Sequence, residues 1–210
     1  MNQDRSPKLF KPGTYHHKMN VVFNWHGGSL DELKYYAEAY HKAANKLIEE
    51  YGSTGATRDF EAAPIIYLYR HALELYLKAF ILGGSNVLSL SGKATMSSQE
   101  ILNDHKLSRF IAPFEAIIKE VGWSWDMGVD GLRNKNDFVS LLAEFERIDS
   151  NSYTFRYPTN KDGKSALPSH FSFDLYQFAI QVDALLDILD GGLLGIDESL
   201  KAAYEMRQIE

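Results

Sequence analysis

The stretch from Pro64 to Leu82, PIIYLYRHALELYLKAFIL, is apolar on nearly every side yet places Arg70, Glu74 and Lys78 four residues apart. Residues at that spacing stack on one face of an α-helix, so the sequence predicts a helix buried on most sides with a single charged row. A buried charge is costly unless it is paired or faces a cleft, so the partners of this row bear on both stability and function. Glu74 followed by Lys78 is the favourable i,i+4 order, and Arg70 reaches Glu74 from the preceding turn. A ladder that satisfies itself is therefore one reading of the row.

The rest of the chain is arranged around this helix. Residues 1–28 read as an N-terminal arm with two prolines and a short apolar patch at Val21, Val22, Phe23 and Trp25, and residues 29–210 as a single helical domain. Ser29 with Glu32 is a capping pair, and Leu33, Tyr36, Ala37, Tyr40, Ala44 and Leu47 continue at helical spacing to about Tyr51, before Gly52. The central helix is expected to start at Thr57 or Asp59 and to stop at Gly83-Gly84. A third helix is expected from Ser97 or Ser98 to Val121, kinked or split at Pro113. Trp123 and Trp125 alternate as if one face of a short extended piece were buried. Asp137 opens a fourth helix, and the strand-like SYTFRYP with the later Asp162-Gly163 pair predicts a small β-hairpin near residues 152–173. Helix resumes at LYQFAIQVDALLDILD, halts at Gly191-Gly192, and a short amphipathic helix from Asp197 to about Arg207 follows. The expected fold is all-α, an antiparallel bundle of four to five long helices.

Several chemistries are excluded or disfavoured. The 210 residues include no cysteine, which removes disulfides, thiolate catalysis and cysteine-based metal sites. A formal charge of −6 argues against capture of nucleic acid by the whole surface, though a local basic pocket is compatible with it. No secretory signal and no membrane-spanning stretch is evident, so the expectation is a cytoplasmic protein without membrane contact. GGSNVLSLSGKAT is not a phosphate loop, because Val87 and Ala94 stand where that motif needs glycine and a hydroxyl residue. His16, His17, His26 and His41 lack ligand spacing, and Asp183, Asp187 and Asp190 read as a solvated helix face. No metal and no cofactor is expected.

Two further polar signals lie downstream. His105 enters an otherwise apolar helix face in NDHKLSRFI, and Arg156 follows the fourth helix in FRYP. With the third and fourth helices flanking the second, both can approach the charged row. Two guanidinium groups, an ammonium and an imidazole suit a phosphate, with Glu74 balancing the charge.

RHALELYLKAFIL, DHKLSRFI and FRYP, in that order, resemble the HEPN superfamily of small α-helical domains, over roughly Asp59 to Leu189. The resemblance implies a helical bundle that forms a homodimer and serves bacterial stress or defence, in toxin–antitoxin, phage-defence or RNA-processing systems. Ribonuclease members of that superfamily carry an arginine, then four to six intervening residues, then a histidine. Here the first histidine after Arg156 is His170, Arg70 and His71 are adjacent, and no other pair fits. The resemblance thus implies a non-catalytic domain that binds a nucleotide, RNA or a protein partner. Arg70, Lys78, His105 and Arg156 are expected to contact phosphate, with Glu74 and Tyr157 orienting them. Two alternatives are a metal-independent endoribonuclease using His105 or His170 as general base with Arg156 stabilising the transition state, and a structural subunit of a protein complex.

Overall fold

A computed structural model of the chain describes residues 21, 23, 32–54 and 59–207, which form six α-helices and one 3-10 turn. They are α1 (Glu32–Thr54), α2 (Asp59–Leu90), α3 (Ser98–Asn103), the 3-10 turn Leu107–Phe110, α4 (Ile111–Val121), α5 (Lys135–Ile148) and α6 (Leu175–Arg207). Most of the expected arm and the Ser29 cap lie outside the described residues. No strand occurs among those described, and none of the helices is long and apolar enough to cross a membrane.

The central helix is buried on most of its circumference, as its sequence dictates, and packs against α1, α3, the 3-10 turn, α4 and α6. It does not stop at Gly83-Gly84 but continues to Leu90, and α6 runs unbroken through Gly191-Gly192. Three of these glycines, with Gly195, are close-approach points. A Cβ on Gly84 would lie 2.4 Å from Cδ1 of Ile117 in α4, and one on Gly83 would lie 3.3 Å from Ile196 in α6. One on Gly192 would meet Phe80 at 2.9 Å, and one on Gly195 would meet Trp123 at 2.7 Å. The missing side chains let the helices and the Trp123 loop approach one another, at an intrinsic cost in helix propensity that the packing offsets.

Helix directions also depart from a simple antiparallel bundle. Lys34 with Asp190 and His41 with Asp183 set α1 antiparallel to α6. Tyr69 with Phe178 and Phe80 with Gly192 set α2 and α6 parallel. The excursion through α3, α4 and α5 returns the chain to the end from which α2 began, so α6 sets out in the same direction. Within that excursion Phe114 stacks between Phe80 (4.4 Å) and Phe138 (4.6 Å), joining α4 to α2 and α5.

The third expected helix is split, but not at Pro113. The break falls at Asp104–Lys106, where the Asp104 carboxylate accepts from the Lys106 N–H (3.0 Å) and from Arg109 Nε (3.0 Å), a local turn that competes with helix. Pro113 sits in the first turn of α4, where no intrahelical partner is needed for its missing N–H. The 152–173 segment is not a hairpin. It consists of turns and bends with one isolated bridge between Thr159 and Ser165. The reason lies at its start, where buried Asp149 accepts the N–H groups of Tyr153 (2.6 Å) and Thr154 (3.0 Å) through Oδ1 and takes them away from any ladder.

Candidate functional site

Arg70, Glu74 and Lys78 are 0, 2 and 3 % exposed. Glu74 accepts from Arg70 Nη1 (3.0 Å) through one oxygen and from Lys78 Nζ (2.8 Å) through the other. Each cation makes a second bond. Arg70 Nη2 donates to the His105 carbonyl (2.8 Å) and Lys78 Nζ to the Leu102 carbonyl (2.9 Å). Leu102 belongs to the last turn of α3, where carbonyls have no intrahelical donor, so Lys78 closes that helix end and complements its dipole. The row thus ties the α3 connection to α2 and presents no N–H to solvent for a ligand. Burial alone would raise the Glu74 carboxyl. The Lys78 hydrogen bond and charge, the Arg70 charge and the His105 bond outweigh that and hold it below the ordinary value of 4.5.

His105 stands at the edge of this cluster. Its Nδ1 lies 2.9 Å from Glu74 Oε1 while its side chain is 60 % exposed, so the row fixes the ring by one nitrogen and leaves the other outward.

Arg156 does not join the row by a hydrogen bond. Its guanidinium carbon lies 5.6 Å from the ring centroid of Tyr67, 5.9 Å from that of Tyr153 and 5.8 Å from that of Tyr157. Tyr153 and Tyr157 are themselves stacked at 4.5 Å. Among the described residues no carboxylate, carbonyl or hydroxyl accepts from this guanidinium. It is in cation–π contact with these rings, and its N–H groups are unpaired among the described residues at an exposed position.

The loop geometry follows from residues that sequence reasoning passed over. Asp149 caps α5 and gathers the Tyr153 and Thr154 amides, Thr154 Oγ1 donates to the Ile148 carbonyl (3.0 Å), and the Arg156 N–H donates to the Tyr153 carbonyl (3.1 Å). This turn puts Tyr153, Arg156 and Tyr157 on one side. On α2, His71 is stacked on Tyr67 one turn away (5.7 Å, planes 8° apart) and meets Tyr40 of α1 edge-on (4.5 Å). Burial pushes the His71 imidazole below 6.5, opposed by the Glu74 charge and reinforced by those of Arg70, Lys78 and Arg156. Tyr67 and His71 are i,i+4 and one step round the helix from the charged row, a spacing that in an apolar run reads equally as core.

The aspartate row on α6 is only partly a solvated face. Asp183 binds His41 and accepts from Asn45 (2.9 Å), whose own oxygen accepts from Tyr69 (2.6 Å), while Asp190 meets Lys34 at 3.4 Å. Asp187 is exposed, and its carboxyl is raised by partial burial and by the neighbouring Asp183 charge. Among the described residues no cluster of histidine and carboxylate side chains is arranged to hold a metal ion.

No family model, no curated protein and no solved structure matches this chain. The likeness to HEPN domains rests on the sequence motifs alone.

Proposed function

We propose that this protein is a non-catalytic, HEPN-like helical domain that binds a nucleotide or RNA through Arg156 in bacterial stress or defence. The observation that carries this reading is a surface guanidinium in contact with three tyrosine rings, with its hydrogen-bonding groups unpaired among the described residues. Such an edge matches two phosphate oxygens at once, and the adjoining rings offer faces to a base. The Arg70–Glu74–Lys78 row then acts as a structural foundation, tying the α3 connection to α2 and fixing the ring of His105 by one nitrogen. Dimerisation with a second copy follows from the resemblance, and Tyr176 and Ile180, exposed one turn apart on α6, offer an apolar face for it.

In a thermal-shift assay, a nucleotide or dinucleotide about a hundred-fold above its Kd raises the Tm by about 5–10 °C. Arg156→Ala, an exposed position, abolishes the shift without lowering the unliganded Tm. A wild type that no nucleotide or RNA stabilises, or an Arg156→Ala variant that responds equally, defeats this reading.

One observation favours a second reading. The Glu74–His105 pair orients an imidazole with one nitrogen facing solvent, the arrangement a general base needs. An endoribonuclease of this kind requires RNA cleavage that His105→Ala removes.

A further inference from the structure

The geometry points to a strip of aromatic rings running from α1 across α2 to the loop after α5, on which a single strand of nucleic acid stacks its bases with one phosphate on Arg156. This rests on the reading of Arg156 given above and goes beyond it in naming the ligand and its path.

The strip is continuous. Tyr40 meets His71 at 4.5 Å, His71 meets Tyr67 at 5.7 Å, Arg156 bridges Tyr67 to Tyr153 at 5.6 and 5.9 Å, and Tyr157 is stacked on Tyr153 at 4.5 Å. Every ring in it is at least partly exposed, and Tyr157 is 48 % exposed. These groups come from three separate elements, and a mononucleotide, with one base, can cover only part of such a surface. Aromatic faces take any base, since every base has a π-face, so recognition is tolerant of sequence. A peptide partner fits less well, because the one permanently charged side chain among these described residues, Arg156, is a planar cation suited to a phosphodiester.

The charge of the protein shapes the mode of binding. At −6 overall there is no basic surface to release many counterions, and the strip holds one unpaired guanidinium. Stacking therefore carries the affinity, and salt affects it little. For a single strand touching one phosphate, the slope of log K against log salt is about −0.7.

The test uses the full chain and a fluorescein-labelled oligouridylate of about twelve nucleotides, a length within the span of known single-strand sites. Binding is followed by anisotropy across a salt series, beside an abasic strand of equal length. The oligouridylate is expected to bind with the shallow slope. Tyr40→Leu and Tyr157→Leu, at the two ends, are each expected to weaken it by about five- to hundred-fold, as loss of one stacked base does. Tyr40→Phe and Tyr157→Phe keep the ring and the affinity, which separates stacking from any disturbance of the fold. The abasic strand is expected to bind more weakly by a similar factor. Equal binding of the two strands, or wild-type affinity in both leucine variants, overturns the strip while leaving an Arg156 phosphate site standing. A slope of several units also overturns it, because it requires phosphate contacts the strip does not possess. Absence of oligonucleotide binding overturns it as well. Only the thermal-shift comparison of Arg156→Ala with wild type bears on the underlying site.

Discussion

A Glu74→Ala variant is expected to unfold in urea with about 3–5 kcal/mol less free energy than the wild type, the cost of leaving buried charges without their counter-ion. Arg70 and Lys78 are both buried against Glu74, so neither can turn to water when the carboxylate is removed. Their remaining bonds are to the carbonyls of His105 and Leu102, and a neutral acceptor compensates a buried cation only in part. A triple variant, Arg70→Met with Glu74→Leu and Lys78→Met, removes all three charges and is expected to stay within a few kcal/mol of wild type or above it. A single variant as stable as wild type would show that the row carries no mutual stabilisation.

Acid reproduces part of the same loss. The Glu74 carboxyl is depressed in the fold, so its contribution is complete above its unfolded value near 4.5 and disappears as pH falls through the lower folded value. His71 acts at higher pH. Its imidazole is depressed as well, so the unfolded chain takes up a proton first, and stability declines as pH drops below about 6.5. In His71→Gln the upper part of this decline is absent and the lower part remains.

Two chemically identical substitutions should have opposite effects. Gly84→Ala places a Cβ 2.4 to 2.7 Å from three side-chain atoms of Ile117, which is itself fully buried in the core. Overpacking of this kind costs about 1–3 kcal/mol. Gly191→Ala meets nothing within 4 Å and lies on the exposed side of α6, so it adds only the helix propensity of alanine, a gain of up to about 1 kcal/mol. Urea midpoints of the two variants on either side of wild type are the expected result. If both are stabilised, the α2–α4 approach is looser than described.

Those glycines also show why part of the fold was hidden in the sequence. A Gly-Gly pair in an apolar run is locally the same whether it ends a helix or lets another helix come close, and only the distant Ile117, Ile196 and Phe80 decide between the two. The ladder from Arg70 to Lys78 was legible because its partners are four residues away on the same helix. Its bonds to Leu102 and His105 depend on a turn at Asp104, and there proline was the misleading cue. SYTFRYP has the composition of a strand, yet one buried carboxylate at Asp149 holds its first amides in a turn. Tyr67, His71 and Tyr40 were hidden for another reason. Aromatic residues on a largely apolar helix read as core, and only the placement of the loop after α5 reveals that this edge of α2 reaches the surface.

The three rings around Arg156 would affect how the proposed ligand is met as well as what it touches. A free arginine side chain in water carries about 2 kcal/mol of rotamer entropy, and a binding partner normally has to quench it. Here cation–π contacts with Tyr67, Tyr153 and Tyr157 restrict the guanidinium in the free protein. Part of its ordering is then done when the chain folds, so an anion binding there as proposed would meet a partly preorganised group and retain more of its interaction energy as affinity.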